Sequence, residues 1–555
     1  MRHYTLAHQH SHLGVAFFTP KLTPPVDLPT ILEMVQTTPT DAFLRAEARR
    51  LLAQAGEERV RTLAGHADPT LAALALETVL LHPDVEHLTD LLEHPRLGEL
   101  AAATPLVFLR SRALPDAQIH RAWGLALGAA VFEAAPLPEG LPPLPTTPKS
   151  LRPTDARTIR TGLSLPPAAP RPPLAHVRSR AMEVLYGLGV LAGPELRHGA
   201  SLAPWGLTRC WRLDRTVEHG RLAYRLSGTM TSYGRGLHLE AARVSLAMEI
   251  VERISSFADI RDGRITGRIH GGEIRTARAC ELDDRAVDLN RLCLEAPAPD
   301  APIAWMTATT ARKEPIWVPV QCVYLFANLD EPKLFGALGS TGLASGSSVD
   351  EACLAGLLEV LERDAETVSP WDASRAFRPQ SRDPEVQKLL DAYAAQGIDL
   401  VLEDITTEFG VPCMRAWVPL PHGGFVKATA TNLCAKAAAL AAITEVPFPF
   451  PQGPASGRWP EEFPERVLED LPDLSTGSAA GDRMLVEALL ADQGLCPIYA
   501  DLTQQSVGIP VVRTIVPGLE TATDLDEFSR ISPRLAAAAV RRMERSSCYS
   551  ATSST

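Results

Sequence analysis

The sequence predicts a mixed α/β (α+β) domain with an internal pseudo-twofold repeat, preceded by an all-α region of HEAT-like helices. Three observations carry that reading. Apolar residues recur at helical spacing from about Asp27 to Glu133. A proline-rich stretch, Glu133 to Leu174, interrupts the pattern. Beyond it, strand-like runs alternate with helical segments, two of which end alike, as MEIVER and LEVLER. At 555 residues the chain exceeds one ordinary core. Its 45% hydrophobic and 22% charged content is that of a soluble globular protein.

Taken in order, residues 1–133 are expected to form the helical region. In HADPTLAALALETVLLHPDVEHLTDLLEHPRL (His66 to Leu97) prolines stand at expected helix starts, where the missing N–H costs nothing. Stacked short helices of this kind offer a surface for a partner or leader peptide. In HQHSH, His8, His10 and His12 would share one face of a strand, but no fourth ligand accompanies them, so a core or surface role is the ordinary reading. Residues 134–174 read as an extended linker or wrapping segment, because proline fixes φ and removes a donor. The α/β domain is expected over 175–541, with strands at Ile316–Asn328, Ile398–Thr406 and Val411–Leu420. The last residues, 542–555, are rich in serine and threonine and read as a disordered tail.

Composition excludes some partners. A net charge of -12 argues against nucleic acid and suits a protein that needs many carboxylates. No apolar run is long enough to span a bilayer. The nine cysteines form no CxxC pair and are expected as reduced thiols in a cytoplasmic protein. Cys353, inside a helical pattern, reads as core.

The chemistry is expected on two helices. In SYGRGLHLEAARVSLAMEIVERISS (Ser232 to Ser256), Ser245, Glu249 and Glu252 fall at i, i+4 and i+7, one narrow stripe at about 100° per residue. In STGLASGSSVDEACLAGLLEVLERDAE (Ser340 to Glu366), Glu351, Glu359 and Glu362 share a face in the same way. Arg253 and Arg363 end the matching hexapeptides at an offset of 110 residues. A duplication about a pseudo-twofold axis would bring five glutamates together. Such carboxylates repel unless cations neutralise them, and magnesium, which takes oxygen ligands while bridging phosphates, is the natural cation. The glycine-rich stretches SYGRG and GSTGLASGSS, each leading into a helix, would suit phosphate, although no P-loop motif is present.

At these residues the sequence resembles the YcaO family. GLHLEAARVSLAMEIVER and GLASGSSVDEACLAGLLEVLERDA resemble its two glutamate helices, VGIPVVRTIVPGLE its C-terminal strand segment, and WGLTR its start. The resemblance implies a YcaO-type fold, ATP and Mg2+ as cofactors, and activation of a peptide backbone amide by phosphorylation of its oxygen. A substrate thiol or hydroxyl then gives an azoline, and a sulfur donor a thioamide. It further implies that Ser245, Glu249, Glu252, Ser347, Glu351, Glu359, Glu362 and Arg363 hold the nucleotide. Glu249, Glu252, Glu359 and Glu362 would hold the metal. A homodimer is implied, with a peptide or protein substrate and a separate leader-binding or sulfur-delivery helper. Ser347 stands where the family usually has asparagine, and Arg235 where it often has lysine. AKAAALAAITEV keeps Glu445 but has alanines nearby, for which Arg458 or Arg513 could substitute. The absence of a PxPxP ending shifts the expectation toward thioamidation. Two other classes remain: an accessory protein that binds a precursor peptide without turnover, and a carboxylate-cluster metallohydrolase.

Overall fold

The computed structural model of the chain describes residues 1–10, 16–270, 272–282, 285–521 and 525–552, with the side chains of 8–10, 16–17 and 544–552 left aside. Three sheets organise it.

The first sheet departs from the all-α expectation for the N-terminus. Arg2–His10 pairs antiparallel with Ala16–Leu22 and parallel with the long strand Leu222–Gly236. The cause is visible in RHYTLAHQH, whose alternation turns Tyr4 and Leu6 inward. Tyr4 meets Phe43 and Tyr224 edge-on, and its hydroxyl donates to Asp41 at 2.6 Å. His8 and His10 lie on this strand and His12 falls outside the described residues, so the proposed histidine cluster is not described. Trp205–His219 and Leu222–Gly236 form a hairpin paired along its whole length, turning at Gly220 (φ +56°).

The N-terminal helices also differ from a stacked row. The helix Pro69–Leu81, capped by Asp68, is apolar all round and sits centrally, with Leu28–Thr37, Ala42–Gln54, Glu57–Ala64, Leu97–Ala103 and Val107–Arg112 packed about it. Its buried Glu77 pairs with the equally buried Arg45. A helix buried on every side is enclosed by its neighbours rather than packed along one face.

The proline-rich segment wraps. Leu137, Leu141 and Leu144 pack beside Trp123, whose indole donates to Pro142 O at 3.0 Å. Ala156, in the short helix Ala156–Gly162, is buried in another cluster.

The second sheet runs Pro315–Pro319, Ile303–Thr310, Ile498–Asp501, Val511–Ile515 and Leu343–Ser345. The third runs Phe425–Thr431, Cys413–Pro419, Val401–Asp404, Ala376–Gln380 and Glu465–Val467. Strands at 316–328 are thus shorter than expected: after Pro319 the chain enters a 3-10 turn, Val320–Cys322. The C-terminal helix Pro533–Thr552 also runs through what composition suggested was a disordered tail. Arg534 anchors its start to Asp364 and Glu408. The cysteines whose side chains are described are free, and among the described residues no helix is long and apolar enough to cross a membrane.

Candidate functional site

Two helices carry the site. The first glutamate helix, Leu239–Ser255, follows directly from the long strand Leu222–Gly236; the second, Val349–Val368, follows the short strand Leu343–Ser345. The glycines before them serve packing rather than an open phosphate turn. A Cβ on Gly236 would stand 2.7 Å from Ala242 N, and one on Gly346 2.4 Å from Ala352 N. The two contacts stand at the same 110-residue offset as the helix ends.

Three of the predicted metal carboxylates are tied to backbone N–H groups in or beside strands. Tyr233 N–H donates to Glu249 at 3.3 Å, Gly342 N–H to Glu359 at 3.0 Å and Thr431 N–H to Glu362 at 3.1 Å. Glu252 faces Arg253 at 3.0 Å. Burial pushes all four carboxyls above the usual carboxylate range, Glu252 to about 8 and Glu362 furthest, against the pull of Arg253 and Arg363. They also repel one another: Glu252 is raised further by Glu359 and Glu249, and Glu362 by Glu445 and Glu359. Burial lowers the buried Arg513 guanidinium to about 10, although it faces Glu359 and Glu252.

The fifth carboxylate of this group is Glu445, not Glu351. Glu351 accepts from Ser347 N–H at 2.8 Å and from the Ser347 hydroxyl, and faces Arg171 of the wrapping segment at 3.6 Å. Ser347 and Glu351 therefore form a local pair at the start of the second helix. Ser245 lies at the surface, where its hydroxyl accepts from Arg235 N–H at 3.4 Å. Arg235 also reaches Glu445 at 3.8 Å. Arg363 lies 4.0 Å from Glu362 and 3.3 Å from Glu366.

Sequence reasoning missed Arg253, although its match to Arg363 was in view. It also missed Glu366 and Lys427, which pair just beyond Glu362. Burial would raise the Glu366 carboxyl, but Lys427, Arg363 and Arg415 together hold it down at about 2. Nothing local in FVKAT marks Lys427; only the fold brings it there. Cys353 is buried in the second helix, and burial pushes its thiol up to about 11.

As the side chains stand, no three His, Cys, Asp or Glu groups among the described residues are gathered tightly enough to chelate one ion. Arginines stand beside the carboxylates, Arg253 against Glu252 and Arg363 against Glu362 and Glu366, and Arg363 Nε is buried without a hydrogen-bond partner. The donor set still fits: hard oxygen ligands held under mutual repulsion are what Mg2+ prefers.

Fold and site together define an α/β protein with a carboxylate-rich site on paired helices. The family model described as "YcaO cyclodehydratase, ATP- and Mg2+-binding" matches residues 233–447 and 450–520, just over half of the chain, and the protein belongs to the YcaO family. ATP and Mg2+ are its cofactors. An uncharacterised protein of Methanothermobacter thermautotrophicus is 29% identical over 335 residues, 53% of this chain and 82% of that protein. An uncharacterised protein in the tfuA 3' region of Rhizobium leguminosarum bv. trifolii is 27% identical over 333 residues, 52% of this chain and 76% of that protein. Among solved structures, a heterocyclase in complex with substrate and cofactor aligns with a TM-score of 0.48 at 18% identity, over 65% of this chain and 55% of that one. YcaO from Methanopyrus kandleri bound with AMPPCP and Mg2+ aligns at 0.43 and 21%, over 63% and 90%. The chain spans little more than half the length of the heterocyclase.

Proposed function

We propose that the protein activates a backbone amide of a peptide by ATP-dependent phosphorylation of the amide oxygen, yielding a thioamide or an azoline. In this reading Glu249, Glu252, Glu359 and Glu362 hold Mg2+, and Ser245, Ser347, Glu351 and Arg363 contact the nucleotide. The observation that carries it is the convergence of Glu249, Glu252, Glu359 and Glu362 from two matching helices into one mutually repelling, part-buried group. Such a group costs stability unless cations join it, which supports a metal-nucleotide role over an accessory protein without turnover.

When bound, Mg-ATP supplies the phosphoryl group that makes amide oxygen a leaving group. The chain's part is positional and electrostatic. Backbone N–H groups of Tyr233, Gly342 and Thr431 fix three carboxylates, so their charge needs little reorganisation. Arg253, Arg363 and Arg513 sit among them as cations able to turn toward phosphate oxygens. A pseudo-twofold internal repeat, a homodimer, a cytoplasmic setting and a separate leader-binding or sulfur-delivery helper complete the proposal.

Titration calorimetry with ATP, with and without Mg2+, tests it. Magnesium-dependent binding is expected in the wild type and loss of at least about tenfold in Glu249→Gln and Glu359→Gln, the effect of about 1.4 kcal/mol. Unchanged binding in both variants refutes the assignment.

A further inference from the structure

A cleft of about 710 Å3 lies outside the carboxylate group, with none of Glu249, Glu252, Glu359 and Glu362 in its wall. It forms where the wrapping segment, at Lys149 and Leu151, meets the turn Leu289–Arg291, the loop at Gly518 and the start of the C-terminal helix Pro533–Thr552. Clefts of this size hold small molecules, and the amide-activation reading leaves this one unused.

Its charge is one-sided. Four cations line it, Lys149, Arg291, Arg530 and Arg534, against one carboxyl, Glu520. Two of the cations are already engaged: Arg530 holds Asp116 at 2.8 and 3.1 Å, and Arg534 holds Asp364 at 2.8 and 2.5 Å. Lys149 and Arg291 make no ion pair or side-chain hydrogen bond among the described residues. Arg291 is nevertheless held in place. Its carbonyl accepts Gly518 N–H at 2.7 Å, and its guanidinium lies over Gly518, where a Cβ would stand 3.0 Å from Nη2. Gly518 has φ +103°, so the backbone itself also asks for glycine under that guanidinium.

Glu520 does little to offset these charges. It is 3% exposed and accepts from the Cys293 thiol at 3.4 Å and from the Ser532 hydroxyl. Burial raises its carboxyl to about 7, so near neutral pH it carries only part of a charge. The C-terminal helix adds the positive end of its dipole to the same wall. Leu151, Leu289, Leu495 and Ile531 make much of the rest apolar. Two cations without acid partners match a phosphate monoester, which carries close to two negative charges near pH 7. Arginine and lysine are also the usual residues for that group. A cleft far larger than a phosphate, walled by leucines, leaves room for an apolar body on the ester oxygen.

We propose that this cleft binds a phosphate monoester with an apolar body, its phosphate held by Lys149 and Arg291 and its body against Leu151, Leu289 and Leu495. The site is separate from the one assigned to Mg-nucleotide and does not depend on the amide-activation reading.

Saturation-transfer NMR on the full chain tests it, with phenyl phosphate, phenol and inorganic phosphate as probes in magnesium-free buffer. Phenyl phosphate is expected to bind and phenol not, with inorganic phosphate competing at least about tenfold more weakly than the ester binds. Lys149→Ala and Arg291→Ala should each weaken phenyl phosphate by about fivefold or more, the loss of one charge-assisted contact. Both side chains are exposed, so melting temperature and Mg-AMPPCP binding by calorimetry should stay unchanged. Arg261→Ala, which removes an exposed cation outside the cleft, should leave phenyl phosphate binding as it is. No binding of phenyl phosphate, equal binding of phenol, competition by inorganic phosphate at the ester's own affinity, or indifference to both cleft substitutions overturns the inference. So does displacement of phenyl phosphate by stoichiometric Mg-AMPPCP, which would place it at the glutamate helices instead.

Discussion

Substituting Glu252 by glutamine tests whether the carboxylate group is built to be completed by a cation. Burial holds this carboxyl at about 8, so near pH 7 it is protonated about ten times in eleven. A metal ligand must be ionised, so Mg2+ has to displace that proton, at a cost of about 1.4 kcal/mol near pH 7 that fades away by about pH 9. The affinity for Mg-nucleotide should therefore rise by about fivefold between pH 7 and 8, reach about tenfold in all by pH 9 and then level off, a range above the titration of the phosphate itself near pH 6. Calorimetry in buffers of different ionisation heat counts the protons directly: close to one per site released near pH 7 from Glu252, and few near pH 9. Glu359 and Glu362 are raised as well, so the wild-type slope is at least this steep. Glu252→Gln removes the Glu252 share of the release. A flat affinity from pH 7 to 9, or a slope that survives Glu252→Gln intact, refutes the reasoning.

The same shift acts on folding: a carboxyl whose folded pKa lies above its unfolded value of about 4.5 stabilises at low pH and loses that contribution as pH rises toward 8, so the protein without cofactor should melt lower near pH 8.5 than near pH 5, and Mg-ATP should narrow the difference. Lys427→Met removes one of the cations around the buried Glu366, leaving Arg363, and should cost about 1.5–3 kcal/mol in urea unfolding, part of it recovered when Glu366→Gln is added. Gly346→Ala forces a methyl against Ala352 N and should cost about 1–3 kcal/mol, whereas Gly98→Ala, in a helix with open space around it, should be neutral or stabilising; equal effects would mean the close approach is not real.

Glu249, Glu252, Glu359 and Glu362 were legible as candidates because helical spacing projects them onto stripes and because the helix ends repeat. Their assignment to a metal came from the family resemblance. The placement of Glu351 was not legible, since the same spacing puts it on the stripe but its neighbour Ser347 captures the carboxylate. Glu445 belongs to a helix far along the chain, and only the fold brings it toward Glu362. The N-terminal strand was lost for a related reason: RHYTLAHQH is short, and its pairing partner at Tyr224–Gly228 lies some two hundred residues away. Glycines before the helices were read as phosphate turns because a close helix-strand approach asks for the same residue as an open anion cradle.

The wrapping segment has a consequence for how the protein can be handled. Residues 134–174 are a strap, not a hinge: they cover Trp123 at one end, seat Ala156 among core leucines in the middle, and bring Arg171 to Glu351 at the other. The strands Arg2–His10 and Ala16–Leu22 meanwhile fill places in a sheet whose other members come after the strap. The chain thus closes on itself as a belt through its own buckle. Cutting it at the prolines should yield two sticky fragments that recombine rather than two domains.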